Sequence, residues 1–134
     1  MYLDETILLV LAGESPLKKR LIDSLTLILR QQGELFTSAA ALWTIARYFK
    51  AHADVPAYRE YRREIAPMFT EIMEVKEADQ SHALEIQEQY NLELSTALHG
   101  AIMRNHDVYR VLSLDEGFDK MKFLERIRPE DLVD

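Results

Sequence analysis

Apolar side chains return every three or four positions along most of this chain, the spacing that lines residues up on one face of an α-helix. Leu17, Leu21, Leu25, Ile28 and Leu29 form one such stripe. It is opened by Ser15-Pro16, a cap followed by proline at the first helical position, and stopped at Gly33. Asp4 is placed to cap an earlier helix ending at Gly13, although residues 6–12 are short and apolar enough to read as a strand too. Thr37 or Ser38 opens a third helix reaching about Ala53, and its wide apolar face of Leu42, Trp43, Ile45, Ala46 and Phe49 marks it as central.

Asp54-Val55-Pro56 opens a fourth helix. Its stripe of Tyr58, Tyr61, Ile65, Met68 or Phe69, and Ile72 passes through Pro67, which reads as one kinked helix. Asp79 or Ser81 caps the longest element, where Ala83, Ile86, Tyr90, Leu94, Ala97 and Ala101 keep the helical spacing to about Arg104. A weaker segment runs from Asp107 to Leu114. A last helix carries Phe118, Met121, Leu124 and Ile127, Pro129 stops it, and residues 130–134 read as a frayed tail. Four glycines and four prolines are few for a loop-rich or all-β fold, and no second strand presents itself to pair with residues 6–12. The pattern predicts an all-α fold, a single compact bundle of about six or seven helices over residues 1–134.

The chain has no cysteine, which excludes disulfides, zinc knuckles, iron–sulfur clusters and thiol nucleophiles. Asp4 and Glu5 precede the apolar run Ile7 to Ala12, so no secretory signal is read there, and the run is far short of the ~20 residues that span a bilayer. These features predict a cytoplasmic protein with no membrane contact. No glycine-rich phosphate loop or cofactor motif occurs, so no cofactor and no metal are expected.

A formal charge of −7 makes extended contact with a nucleic-acid backbone unfavourable. The charge is unevenly spread, however. Pro16 to Arg63 holds nine Lys or Arg against four Asp or Glu, whereas Glu71 to Glu93 holds seven acids against Lys76. Within the basic half, Arg59, Arg62 and Arg63 stand beside Tyr58 and Tyr61, residue types enriched at interface hot spots. Tyr58, Arg59, Arg62 and Arg63 are therefore the expected partner-binding residues, and the partner another protein. The long helix from Asp79 to Arg104 also suits self-association into a homodimer.

Catalytic patterns are sparse. His106-Asp107 resembles the metal-binding dipeptide of HD phosphohydrolases, but no set of ligands converges with it in the sequence. Glu71, Glu74 and Glu77, and Glu85 with Glu88, lie off the apolar stripe and read as a solvated face. Arg47 and His52 stand five apart on one helix, near one face, where a cation and a proton-transfer group could act together on a phosphodiester. This spacing resembles the Arg-x4-His signature of HEPN-type ribonucleases, and the resemblance implies an all-helical, metal-independent ribonuclease with Arg47 and His52 as its catalytic pair. Without a stronger catalytic motif, the residues point first to a non-enzymatic protein-binding module such as a small regulator, adaptor, immunity protein or inhibitor. The HEPN-like ribonuclease is the alternative.

Overall fold

The computed structural model describes residues 1–52 and 54–133; of Val133 only the backbone is described, and the expected third-helix end at Ala53 and the terminal Asp134 lie outside the described residues. Its centre is a five-stranded sheet in the order β3-β2-β1-β4-β5, with every neighbouring pair parallel. The strands are β1 (Tyr2–Leu3), β2 (Phe36–Ser38), β3 (Glu71–Met73), β4 (Arg110–Leu112) and β5 (Glu125–Ile127). The sheet overturns the all-α expectation. Strands of two or three residues are too short to show alternation, and parallel strands covered on both faces carry apolar residues without it.

Helices α1 (Glu5–Ala12), α2 (Pro16–Arg30), α3 (Ala39–Ala51) and α4 (Val55–Ile65) cover one face; α5 (Glu77–Tyr90) and α6 (Leu94–Asn105) cover the other. Side chains alternate across the pleat accordingly. Leu3 and Leu112 join the first face with Leu8, Leu21, Leu25 and Ile45, while Tyr2 and Val111 join the second with Ala97, Ile102, Phe118 and Met121. The residues just before and just after each strand midpoint thus feed two cores, and the three-layer stack follows.

Local chemistry sets the helix starts. Asp4, Ser15, Ser38 and Asp54 each cap a helix by accepting a hydrogen bond from a backbone N–H of its first turn. Five expectations fail elsewhere in the chain. The fourth helix ends at Ile65, passes through one 3-10 turn at Ala66–Met68 and becomes β3, so the stripe through Pro67 is not a kinked helix. The long Asp79–Arg104 element is two helices, because Asn91 adopts a left-handed conformation (φ 53°) that ends α5; the basis for self-association through one long helix goes with it. The expected last helix is a 3-10 turn at Glu116–Lys120 followed by β5, and residues 129–133 form a short helix, α7, where a frayed tail is expected. Trp43, assigned to the core by its helical position, is 68% exposed. No helix among the described residues is long and apolar enough to cross a membrane.

The end of α2 carries a local strain. Gln32 takes φ 64°, and Gly33 N–H donates to the Ile28 carbonyl at 2.9 Å, the six-to-one bond of a Schellman turn. The left-handed position that glycine fills without penalty is thus one residue ahead of the glycine. Gln32→Gly is expected to stabilise the fold by about 0.5–1 kcal/mol, read as a raised urea midpoint at unchanged slope. An unchanged or lowered midpoint would contradict this account of the turn.

Candidate active site at the carboxyl edge of the sheet

In an open parallel sheet the side chains that follow the strands gather where the strand order reverses direction. Here the chain runs outward from β1 through β2 to β3, then returns through α5 and α6 to place β4 on the other side of β1. The crevice therefore opens beyond the carboxyl ends of β1 and β4. Asp4 and Glu5 follow β1, Ser113 and Asp115 follow β4, the first turns of α3 and α6 bring Ala39, Ala40, Ser95 and Thr96 alongside, and the second turn of α6 brings His99.

Asp4 is 1% exposed and fully engaged. One carboxylate oxygen accepts from the Thr6 backbone N–H at 3.1 Å and from the Thr6 hydroxyl at 2.5 Å; the other accepts from the Ser113 hydroxyl at 2.5 Å. Burial raises its pKa, and the bonds from Ser113 and Thr6 hold it back down. Ser113 in turn accepts from the Asp115 backbone N–H at 2.9 Å. Asp115 accepts from Gly117 N–H at 2.9 Å through one oxygen and from the Thr96 hydroxyl at 2.8 Å through the other.

A second chain of bonds runs beside the first. Glu5 pairs with His99 Nε2 at 2.5 Å, His99 Nδ1 meets the Tyr2 hydroxyl at 2.6 Å, and that hydroxyl meets Ser38 Oγ at 2.6 Å. His99 and Tyr2 are buried, whereas the Glu5 side chain keeps 19% of its surface open. Glu5 and His99 stand at the foot of a cavity of about 770 Å³ whose other walls are mostly apolar, among them Ala40, Trp43, Ala83, Leu84 and Leu94. An apolar pocket with a few convergent polar groups is the usual form of a small binding or reaction site. Burial works against charge on both partners of the pair, yet their mutual bond prevails: His99 is raised above its ordinary value and Glu5 is lowered. Asp4 and Asp115 add to the raising of His99.

Carboxylates at such an edge can hold a divalent cation when several oxygens converge on it at about 2.0–2.6 Å. Asp4 and Asp115 instead have both oxygens on protein donors, and one oxygen of Glu5 is held by His99, whose other nitrogen faces Tyr2. Among the described residues no three His, Cys, Asp or Glu come together as a ligand set. The residues present do not fit a carboxylate-held cation.

The residues expected from the sequence lie elsewhere. Arg47 is exposed on α3, and His52 turns back on its own helix, Nδ1 against the Tyr48 carbonyl at 2.8 Å and its ring 4.3 Å from that of Tyr48. Arg47 lines a groove that His52 does not, so the two share no cleft. His106 lies at the end of α6, Nδ1 on the Ile102 carbonyl at 2.8 Å, and assembles no ligands. Arg59, Arg62 and Arg63 are exposed and Tyr58 half-buried along a separate groove between α3 and α4. Sequence reasoning missed the site because Tyr2, Glu5, His99 and Asp115 are spread over the whole chain. The available signal was the pair of short apolar runs each followed by an acid, Tyr2-Leu3-Asp4 and Val111-Leu112-Ser113-Leu114-Asp115.

The Glu5–His99 pair has a definite pH signature. A histidine whose folded pKa is raised contributes stability fully below 6.5 and loses it as pH climbs through the folded value. A glutamate whose folded pKa is lowered contributes above 4.5 and loses it as pH falls through the folded value. The stability difference between wild type and Glu5→Gln is therefore expected to be largest between about pH 4.5 and 6.5 and to shrink as pH rises above that window through the raised value of His99. A difference that stays constant over this range in thermal melts would show that the pair is not ionised.

Comparison with known proteins gives this geometry a family. The PIN-domain profile matches residues 1–124. Over 94 residues the chain is 30% identical to a VapC ribonuclease of Mycobacterium bovis and to ribonuclease VapC13 of Mycobacterium tuberculosis, covering 69% of this chain and 72% of each relative. Among solved structures, the VapBC2 complex of Rickettsia felis, bound to a fragment of its promoter DNA, aligns with a TM-score of 0.77 at 12% identity, over 95% of this chain and 96% of that one. A toxin–antitoxin complex of Klebsiella pneumoniae aligns at 0.70 with 14% identity, over 96% of each chain. VapC20 of M. tuberculosis, a toxin that cleaves the sarcin–ricin loop, aligns at 0.69 with 13% identity, over 92% and 96%. These findings overturn both the HEPN-like reading and the non-enzymatic regulator, since the curated relatives are ribonucleases on an α/β fold. The chain belongs to the PIN-domain family.

Proposed function

We propose that this chain is a ribonuclease toxin of the VapC kind, acting in the cytoplasm and cutting RNA in the crevice beyond β1 and β4. The observation that carries the reading is the 30% identity to VapC ribonucleases, combined with acids gathered at the switch point of the sheet. Glu5 is the group able to take a proton from an attacking oxygen: it is partly open to the cavity, ionised, and oriented by His99. The exposed indole of Trp43 at the cavity rim offers a face on which a base can stack. A net charge of −7 does not oppose this, because a cleft that engages a short RNA segment need not match the charge of the whole surface.

The groove between α3 and α4 is lined by Arg47, Lys50, Arg59, Arg62 and Arg63 with no acid among the described residues of its walls, and Trp43, Tyr48 and Val55 are exposed along it. Cations around exposed aromatic and aliphatic surface suit an acidic amphipathic segment laid into the groove. Solved relatives of the same fold include toxin–antitoxin complexes, which supports an antitoxin as that partner. Tyr58, Arg59, Arg62 and Arg63 would then hold the inhibitor, away from the reacting cleft.

Purified protein is expected to cut RNA in buffers tested with and without magnesium, and Glu5→Gln to slow cleavage by about 10²-fold while the fold is retained. Folded protein that leaves total cellular RNA and short oligonucleotides intact in every buffer would remove the ribonuclease reading. Capture from its own cells should yield one stoichiometric protein that inhibits cleavage, and the double variant Arg59→Glu/Arg62→Glu should lose it. Retention of that protein by the double variant would place the partner elsewhere.

A further inference from the structure

Carboxylates that serve a nuclease commonly do so through a divalent cation, which activates water and neutralises the charge developing on the phosphate. In this crevice the Asp4 and Asp115 carboxylates are met by hydroxyl and amide donors. We infer that the carboxylates of this crevice are capped by protein donors and take up no divalent cation, and that Thr96 is the residue that decides it. The inference concerns the same site as the proposed ribonuclease but is tested without RNA, so the two stand or fall separately.

Asp4 cannot serve as a ligand as it stands. It is 1% exposed and already accepts three hydrogen bonds, two from Thr6 and one from Ser113. A cation would have to share oxygens that already accept from buried donors, on a carboxylate closed off from solvent. Asp115 is similarly held. Thr96 closes one oxygen at 2.8 Å and Gly117 N–H the other at 2.9 Å. The space there is tight as well, since a Cβ on Gly117 would lie 3.0 Å from Asp115 Oδ1 and 3.3 Å from Thr96 Cγ2.

Apart from Glu5, which has one oxygen on His99 and keeps part of its side chain open, the described residues of the remaining walls supply no carboxylate. The first turn of α3 presents Ala39, Ala40 and Ala41, and the first turn of α6 presents Leu94, Ser95 and Thr96. His99, the nearest nitrogen base, has one ring nitrogen on Glu5 and the other on Tyr2. Magnesium asks for near-octahedral geometry with at least one or two free carboxylates. Glu5 alone is too few, and Asp115 is the carboxylate that would have to join it, but the buried Thr96 hydroxyl occupies one of the Asp115 oxygens. An aspartate at position 96 would put a second carboxylate against the first, creating the pair of like charges that a cation relieves.

The test is titration of the folded, full-length chain with manganese, followed by electron paramagnetic resonance of the free ion and by thermal melts. The wild type is expected to bind no stoichiometric manganese below about 1 mM and to show no shift in melting temperature. Thr96→Asp is expected to bind one ion at least about tenfold more tightly than the wild type and to melt higher as manganese is added. Stoichiometric binding by the wild type that disappears in Asp115→Asn would overturn the inference. So would a folded Thr96→Asp variant that binds no better than the wild type. Should that variant fail to fold, the wild-type titration decides alone.

Discussion

One buried aspartate joins the parts of this molecule that matter for its chemistry. Asp4 leaves the central strand, caps α1 through Thr6, and reaches across to Ser113 at the end of the neighbouring strand β4. A charge removed from water in this way is tolerated only with its hydrogen-bonding capacity met. The three bonds meet it, and in doing so they fix the entry angle of α1 and the relative height of the two strand ends. Glu5 emerges one residue later on α1, and Asp115 two residues beyond Ser113, so both positions depend on this anchor. Removing the carboxylate would loosen a helix start and a strand end together.

The consequence is a division of labour between two concave surfaces. The cavity at the sheet edge has the Glu5–His99 pair at its foot and mostly apolar walls, while the groove between α3 and α4 is basic. Trp43 and Thr44 line both, on the helix that separates them. A partner seated in the basic groove would therefore touch the same tryptophan that a base would use in the crevice. That shared side chain is a physical route by which a bound inhibitor could close the reacting cleft without entering it. The uneven charge of the sequence becomes intelligible on this basis, because the basic half builds α2, α3 and α4 and the acidic half builds β3, α5 and the approach to α6.

How much of this was legible in the sequence depends on the range of the interaction concerned. Helix starts are local events, and Asp4, Ser15, Ser38 and Asp54 announce them within three residues. The break at Asn91 is also local but lacks the glycine or proline that would mark it, so the two helices on either side read as one. The strands defeat the period argument altogether. Tyr2–Leu3 pairs through backbone bonds with residues more than thirty positions away, and two residues cannot display a repeat. Pro67 illustrates the converse error, since an apolar spacing that fits a helix continues through a 3-10 turn into a strand. The site suffers most. Its hydrogen bonds join residues separated by up to 109 positions, and the closely spaced Arg47 and His52 share a helix but no cleft. Arg59, Arg62 and Arg63, adjacent in the chain, do share a surface, because a helix keeps near neighbours together.

On the proposed function, RNA enters the crevice beyond β1 and β4 and meets Glu5. It can be read in an NMR titration of ¹⁵N-labelled protein with short 2′-O-methyl RNA, whose blocked 2′-hydroxyls cannot act as the attacking oxygen. The account predicts that the largest shifts fall on the backbone amides of Glu5, Ser95, Thr96 and His99 and on the Trp43 indole, with the amides of Arg59, Arg62 and Arg63 little changed. Shifts confined to the α3–α4 groove, with the sheet edge silent, would contradict it.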